Sequence, residues 1–169
     1  MRPRVVVVDY GVGNLLSVTR AFEIRGAEVT VTSDPRAVPG ADRLVVPGVG
    51  AFADGMAELE GRGLVQPIRE FAATGRPLLG ICLGMQLLFS ESHEFGQHKG
   101  LDLLAGQVMA IPNEAPGGRW RKTPHIGWNE LRLPHGRPSW GGTLLAGLVE
   151  GSAVYFVHSF AAVPADLAI

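Results

Sequence analysis

Residues 5–26, VVVVDYGVGNLLSVTRAFEIRG, decide the fold. Four consecutive valines leave no polar face, which is how a strand buried on both sides of a parallel sheet reads. Asp9-Tyr10-Gly11 closes the run with turn residues. From there Leu15, Leu16, Val18, Ala21, Phe22 and Ile24 recur at helical spacing, and Gly26 stands where a glycine ends a helix. A strand that feeds straight into a helix is the first half of a βαβ unit. Outward along the chain, strands are predicted at 29–32, 44–46 and 78–81, with helices near 56–59 and over 64–73. Strands alternating with helices predict an α/β fold around a doubly wound, mostly parallel sheet.

Residues 85–90 are predicted to follow the fourth strand as a helix. Beyond Gly96 the chain is broken more often by glycine and proline, and the strand-like pieces at 107–111, 128–133 and 154–157 read as antiparallel additions to the parallel core. The stretches 113–121 and 134–142 read as exposed loops. There is no internal repeat, heptad run or low-complexity linker, and 169 residues are expected to form a single domain, 1–169.

Composition narrows the function classes. With 46% hydrophobic and 18% charged residues the chain is globular, against a typical ~25% charged. Fifteen basic and sixteen acidic side chains leave a net charge of −1, so no positive field is expected to hold nucleic acid or an anionic membrane. Met-Arg-Pro-Arg followed by four valines is too short for a signal peptide or a membrane span, which places the protein in the cytoplasm as an expectation. The single cysteine, Cys82, excludes an internal disulfide framework and a four-thiolate metal site. Gly11-Val12-Gly13 is followed by Leu16 where a dinucleotide fingerprint needs its third glycine, and Glu28 comes too soon for a ribose contact, so no nicotinamide cofactor is expected. No spacing of histidines or carboxylates suggests a metal.

Gly80-Ile81-Cys82-Leu83-Gly84 lies between an apolar strand and an apolar helix. This is the G-x-nucleophile-x-G pattern with cysteine as nucleophile. The glycines are needed because the strand turns so sharply into the helix that a Cβ on either side would clash. The helix start beneath Cys82 favours thiolate over thiol. A lone cysteine is more often a small buried hydrophobe; its place between spaced glycines at a strand end reverses that reading. An attacking thiolate also needs N–H donors for the developing oxyanion. Pro47-Gly48-Val49-Gly50 follows the third strand and ends on the same sheet edge, where ligands of such sheets bind. Among five histidines, His93 and His98 read as solvated and His135 as part of a loop, whereas His125 and His158 lie in ordered contexts. From spacing alone His158 is the candidate base.

Five ordered segments, DYGVGNLLSV at 9–18, PGVGAFADGM at 47–56, GICLGMQLLF at 80–89, PHIGWN at 124–129 and YFVHSF at 155–160, together resemble the class I glutamine amidotransferase family in its imidazole glycerol phosphate synthase branch. The resemblance implies a flavodoxin-like, three-layer fold and a glutaminase in which Cys82 forms a thioester with L-glutamine and releases ammonia. It implies a heterodimer with a (βα)8-barrel cyclase that uses the ammonia to make imidazole glycerol phosphate and aminoimidazole carboxamide ribotide in histidine biosynthesis, with no cofactor. It assigns oxyanion donors to Val49 and Leu83, with Gly48 and Gly50 permitting a peptide flip. Gln86, His158, Ser159 and Phe160 fall on the substrate side, and Asn14, His125, Ile126 and Trp128 toward the synthase interface. Because His158 is then a substrate-side residue, the base passes to the family's F-H-P-E-like segment. No such segment occurs before Ile169, so the domain is expected to continue past it. The alternatives are another triad glutaminase, such as that of pyridoxal phosphate synthesis, a cysteine oxidation sensor of flavodoxin-like fold, or a non-catalytic interaction module. A sensor would need an acidic neighbour to tune its thiol, and none follows Cys82 before Glu91.

Overall fold

The computed structural model describes residues 2–115, 117–134 and 136–166. The chain clusters into two compact units, Met1–Ala110 with Ala161–Ile169, and 111–160.

The first unit is built on β1 (Arg4–Val8), α1 (Leu15–Ile24), β2 (Glu28–Thr32), β3 (Arg43–Val46), α2 (Phe52–Gly61), α3 (Val65–Ala73) and β4 (Leu78–Gly80). The strands form one sheet in the order β2-β1-β3-β4, and every pair is parallel. All four valines of β1 are buried, as a strand covered on both faces requires. Val5, Val7 and Val45 share one face, and Leu15, Val18 and Phe22 of α1 pack against it. Strand alternation turns Val6, Val8, Leu44 and Val46 to the opposite face. Asn14 starts α1 by accepting the Ser17 N–H at 3.2 Å, so the residue assigned by resemblance to the partner interface is also a helix cap. The strand order reverses between β1 and β3, and a ligand site is expected at the carboxyl ends of those strands.

The helix expected over 85–90 is not formed. After β4 the chain makes only α4 (Leu83–Gln86), and Phe89–Ser92 is a strand, β5. The carbonyls of Leu87 and Leu88 accept N–H groups from Leu101, Leu103 and Leu104, which removes them from any helical ladder. A Cβ on Gly100 would collide with the Phe89 carbonyl, so the returning chain sits directly on this segment. β5 joins β6 (His98–Lys99), β7 (Leu104–Ala110) and β12 (Phe160–Pro164) in a second sheet ordered β12-β7-β5-β6. Here β7 corresponds to the strand expected at 107–111, begins earlier, and runs parallel to β5 rather than antiparallel.

In the second unit, β10 (His125–Glu130) and β11 (Ala153–His158) pair antiparallel, as expected, although β10 begins before the predicted 128. The stretch read as a loop at 113–121 contains a short antiparallel pair, β8 (Glu114–Ala115) and β9 (Arg119–Trp120). His135 lies outside the described residues.

Candidate active site

In the first unit, the chain leaving β4 pairs with the end of β3 through Ile81 N–H to the Val46 carbonyl at 3.0 Å, and Cys82 follows immediately. Cys82 has φ 54° and ψ −116°, outside every conformation an L-residue adopts without strain, and its thiol is free and exposed. Both flanking glycines are sterically required. A Cβ on Gly80 would lie 2.5 Å from the Met85 Cα, and one on Gly84 would overlap the Val46 carbonyl oxygen. These observations describe the sharp, strained strand-to-helix turn that a nucleophile elbow requires. α4 spans only four residues, so the electrostatic help expected from the helix start beneath Cys82 comes from the N–H groups of a single turn. Leu83, at the first helical position, has an N–H without an intrahelical acceptor.

Pro47-Gly48-Val49-Gly50 lies against this elbow. A Cβ on Gly48 would come within 3.0 Å of the Gly84 N and 3.1 Å of the Leu83 Cβ. Gly48 is buried, Val49 is exposed and Gly50 has φ 106°, a conformation that glycine adopts freely. Gly48 is thus brought against Leu83 and Gly84, with Val49 and Gly50 next along the chain and Gln86 at the end of α4.

Two residues of this region escaped the sequence reading. Tyr10 is fully buried and donates its hydroxyl to the Pro47 carbonyl at 2.6 Å. Its pKa is raised, first by burial and then by the charge of nearby Cys82. Its position at the carboxyl end of a buried strand was the available signal. Glu94 accepts the Phe52 N–H at 2.6 Å, supplying the cap that Ala51 cannot give to α2. Nothing local marks a carboxylate that acts on a helix start 42 residues earlier.

The histidines are distributed differently from the expectation. His93 is not simply solvated: its Nε2 lies 3.1 Å from Glu91 Oε1. Glu91 also accepts from Gln97 and Gln107, and these contacts hold its pKa below the ordinary carboxylate range, with Gln97 the largest cause and His93 the next. In the second unit, His125 and His158 face each other across the ladder, Nδ1 to Nε2 at 3.2 Å. His158 Nδ1 lies 3.0 Å from the Phe160 carbonyl and therefore donates to it, so His158 Nε2 accepts from His125 in the neutral pair. The opposite face of the same ladder carries Ile126, Trp128, Tyr155 and Val157, each more than half exposed. Among the described residues no group of three or more histidine, cysteine or acidic side chains is placed to hold a metal ion.

The class-I glutamine amidotransferase family matches residues 6–168. The chain is 53% identical over 162 residues to the imidazole glycerol phosphate synthase subunit HisH of Legionella pneumophila, covering 96% of this chain and 76% of that protein. It is 51% identical over 166 residues to the corresponding subunit of Moorella thermoacetica, covering 98% and 73%. A crystal structure of a glutamine amidotransferase superposes with a TM-score of 0.65 at 20% identity, over 90% of this chain and 70% of that one, which is a likeness of fold.

Proposed function

This chain belongs to the class-I glutamine amidotransferase family, and from that premise we propose how its site works. It is a glutaminase subunit of imidazole glycerol phosphate synthase, in histidine biosynthesis. The Cys82 thiolate attacks the side-chain amide carbon of L-glutamine, the C–N bond breaks, and the nitrogen leaves as ammonia after taking up a proton. Water then hydrolyses the γ-glutamyl thioester to glutamate and restores the thiolate. The observation that carries this reading is the strained backbone of Cys82 between two glycines that cannot accept a Cβ.

The tetrahedral intermediate develops charge on the former amide oxygen. Leu83 and Val49 are the proposed N–H donors, one at the start of α4 and one on the segment packed against it. Val49 reaches that role by rotation of the Gly48–Val49 peptide, which its flanking glycines allow. By the family motif the substrate side is assigned to Gln86, to His158 at the end of β11, and to Ser159 and Phe160 that follow it. His125 and His158 occupy each other in the ladder, which speaks against either as the base for Cys82.

The proposed acceptor of ammonia is a (βα)8-barrel cyclase subunit, with Asn14, His125, Ile126 and Trp128 toward it. Trp128 is 70% exposed and Ile126 58%, and apolar side chains in that state fit an interface. His125 points to the other face of the ladder and would support the contact rather than make it. No described helix is long and apolar enough to cross a membrane, and a cytoplasmic location is proposed with the pathway.

The deciding experiment uses Cys82→Ala in complex with the synthase partner. Glutamine-dependent synthesis should fall by roughly a thousandfold or more, while synthesis from added ammonia stays within about twofold because the partner's chemistry does not use the thiol. Loss of both activities in a folded complex would make Cys82 structural.

A further inference from the structure

Tyr10 belongs to no step described so far, yet it is a fully buried side chain whose polar atom reaches the proposed oxyanion segment. Tyr10 and Gly48 each lie three residues past the paired Val7 and Val45, just beyond the ends of β1 and β3. Proline has no N–H, and Pro47 stands where the β3 ladder ends. Its buried carbonyl takes the Tyr10 hydroxyl at 2.6 Å instead of a strand partner. The same hydroxyl occupies the space that a Cβ on Gly48 would need.

We propose that Tyr10 is a positioning residue for glutamine hydrolysis: its hydrogen bond to the Pro47 carbonyl holds the Pro47–Gly48 peptide still, so that only the Gly48–Val49 peptide turns to present the oxyanion donor. This rests on the reading of Val49 as that donor. A peptide plane carries a carbonyl and the next N–H as one rigid unit. Fixing the Pro47 oxygen therefore fixes the Gly48 N–H and sets the axis about which the following peptide swings. Without the clamp, both peptides are free to move, and the donor is less often in place when charge develops on the substrate oxygen. Burial keeps the hydroxyl protonated, so it remains a donor when Cys82 is ionised.

The test compares the unaltered protein with Tyr10→Phe, both as the full chain in its synthase complex. Two reagents label the Cys82 thiol. A chloroketone analogue of glutamine passes through a tetrahedral oxyanion, whereas iodoacetamide displaces iodide without one. Loss of one buried hydrogen bond should lower the chloroketone rate and the glutaminase kcat by roughly tenfold, with KM and the iodoacetamide rate within about twofold. An unchanged chloroketone rate and kcat in the folded variant would overturn the proposal. Equal losses with both reagents would also overturn it, because Tyr10 would then act on the thiol or on the fold alone. If Cys82→Ala is labelled by the chloroketone as fast as the unaltered protein, the nucleophile reading itself fails, which is a separate result. Should Tyr10→Phe not fold, carbonyl carbon-13 shifts in the unaltered complex decide: chloroketone labelling should move the Gly48 carbonyl and leave that of Pro47 in place. A Pro47 shift as large as that of Gly48 would overturn the clamp.

Discussion

Cys82 holds φ 54° and ψ −116°, a conformation that costs an L-residue on the order of 1–3 kcal/mol. The surrounding contacts enforce it, because the Ile81 N–H is tied to β3 on one side and Gly84 is pressed against the Val46 carbonyl on the other. The strain resides in the backbone rather than in the thiol, so two substitutions that both remove sulfur should differ. Cys82→Ala keeps a Cβ and the strain; Cys82→Gly removes both, offset by the greater freedom of glycine in the unfolded chain. Cys82→Gly is expected to be more stable than Cys82→Ala by about 1 kcal/mol. Urea unfolding of the two variants checks this, and a Cys82→Gly variant less stable than Cys82→Ala by the usual cost of glycine would show that the elbow stores no strain.

Secondary-structure elements show where local preference and tertiary context part. The segment after Cys82 is an apolar run of helix formers, and short apolar runs do not distinguish helix from strand. The chain is released from the helix after Gln86 because the Leu87 and Leu88 carbonyls are taken by Leu101, Leu103 and Leu104, and Phe89 enters a strand beside β7. Glu94 acts at the same scale. Its carboxylate accepts the first N–H of α2, whose own N-cap is an alanine without a side-chain acceptor. Glu94→Ala should lower stability by about 1 kcal/mol and Glu94→Gln by less, since an amide oxygen still accepts the bond. Thermal unfolding of both variants measures it, and identical losses would assign the effect to packing instead of capping.

For the molecule as a whole, the distribution of exposed apolar residues bears on assembly. The β10–β11 ladder alternates cleanly: His125, Phe156 and His158 lie on the less exposed face, and Ile126, Trp128, Tyr155 and Val157 on the other. The Trp128 and Tyr155 rings meet edge to face at 5.5 Å, making a firm apolar surface. If this is the cyclase contact, Trp128→Ala should weaken association with the barrel partner about 30-fold, the loss typical of a central aromatic anchor. The isolated subunit should unfold at nearly its original urea concentration, because the side chain is 70% exposed. Titration calorimetry of the complex measures the affinity, and an unchanged dissociation constant would move the interface elsewhere.

Much of this was legible locally. The valine run of β1, the helical spacing after Leu15 and the glycines around Cys82 each state a requirement of burial or steric fit that a neighbourhood of a few residues already contains. They were sufficient to determine the parallel α/β core and the sharp turn at Cys82, and they are what the proposed nucleophile and oxyanion loop were read from. The strand order β2-β1-β3-β4, the strand in place of a longer helix at Phe89, the histidine pair across β10 and β11, the Glu94 cap and the Tyr10 clamp were decided by tertiary structure alone. The Tyr10–Pro47 bond joins residues 37 positions apart and the Glu94–Phe52 bond joins residues 42 apart. Such contacts exist only once the sheet has set its strands side by side, so no local pattern of side chains encodes them.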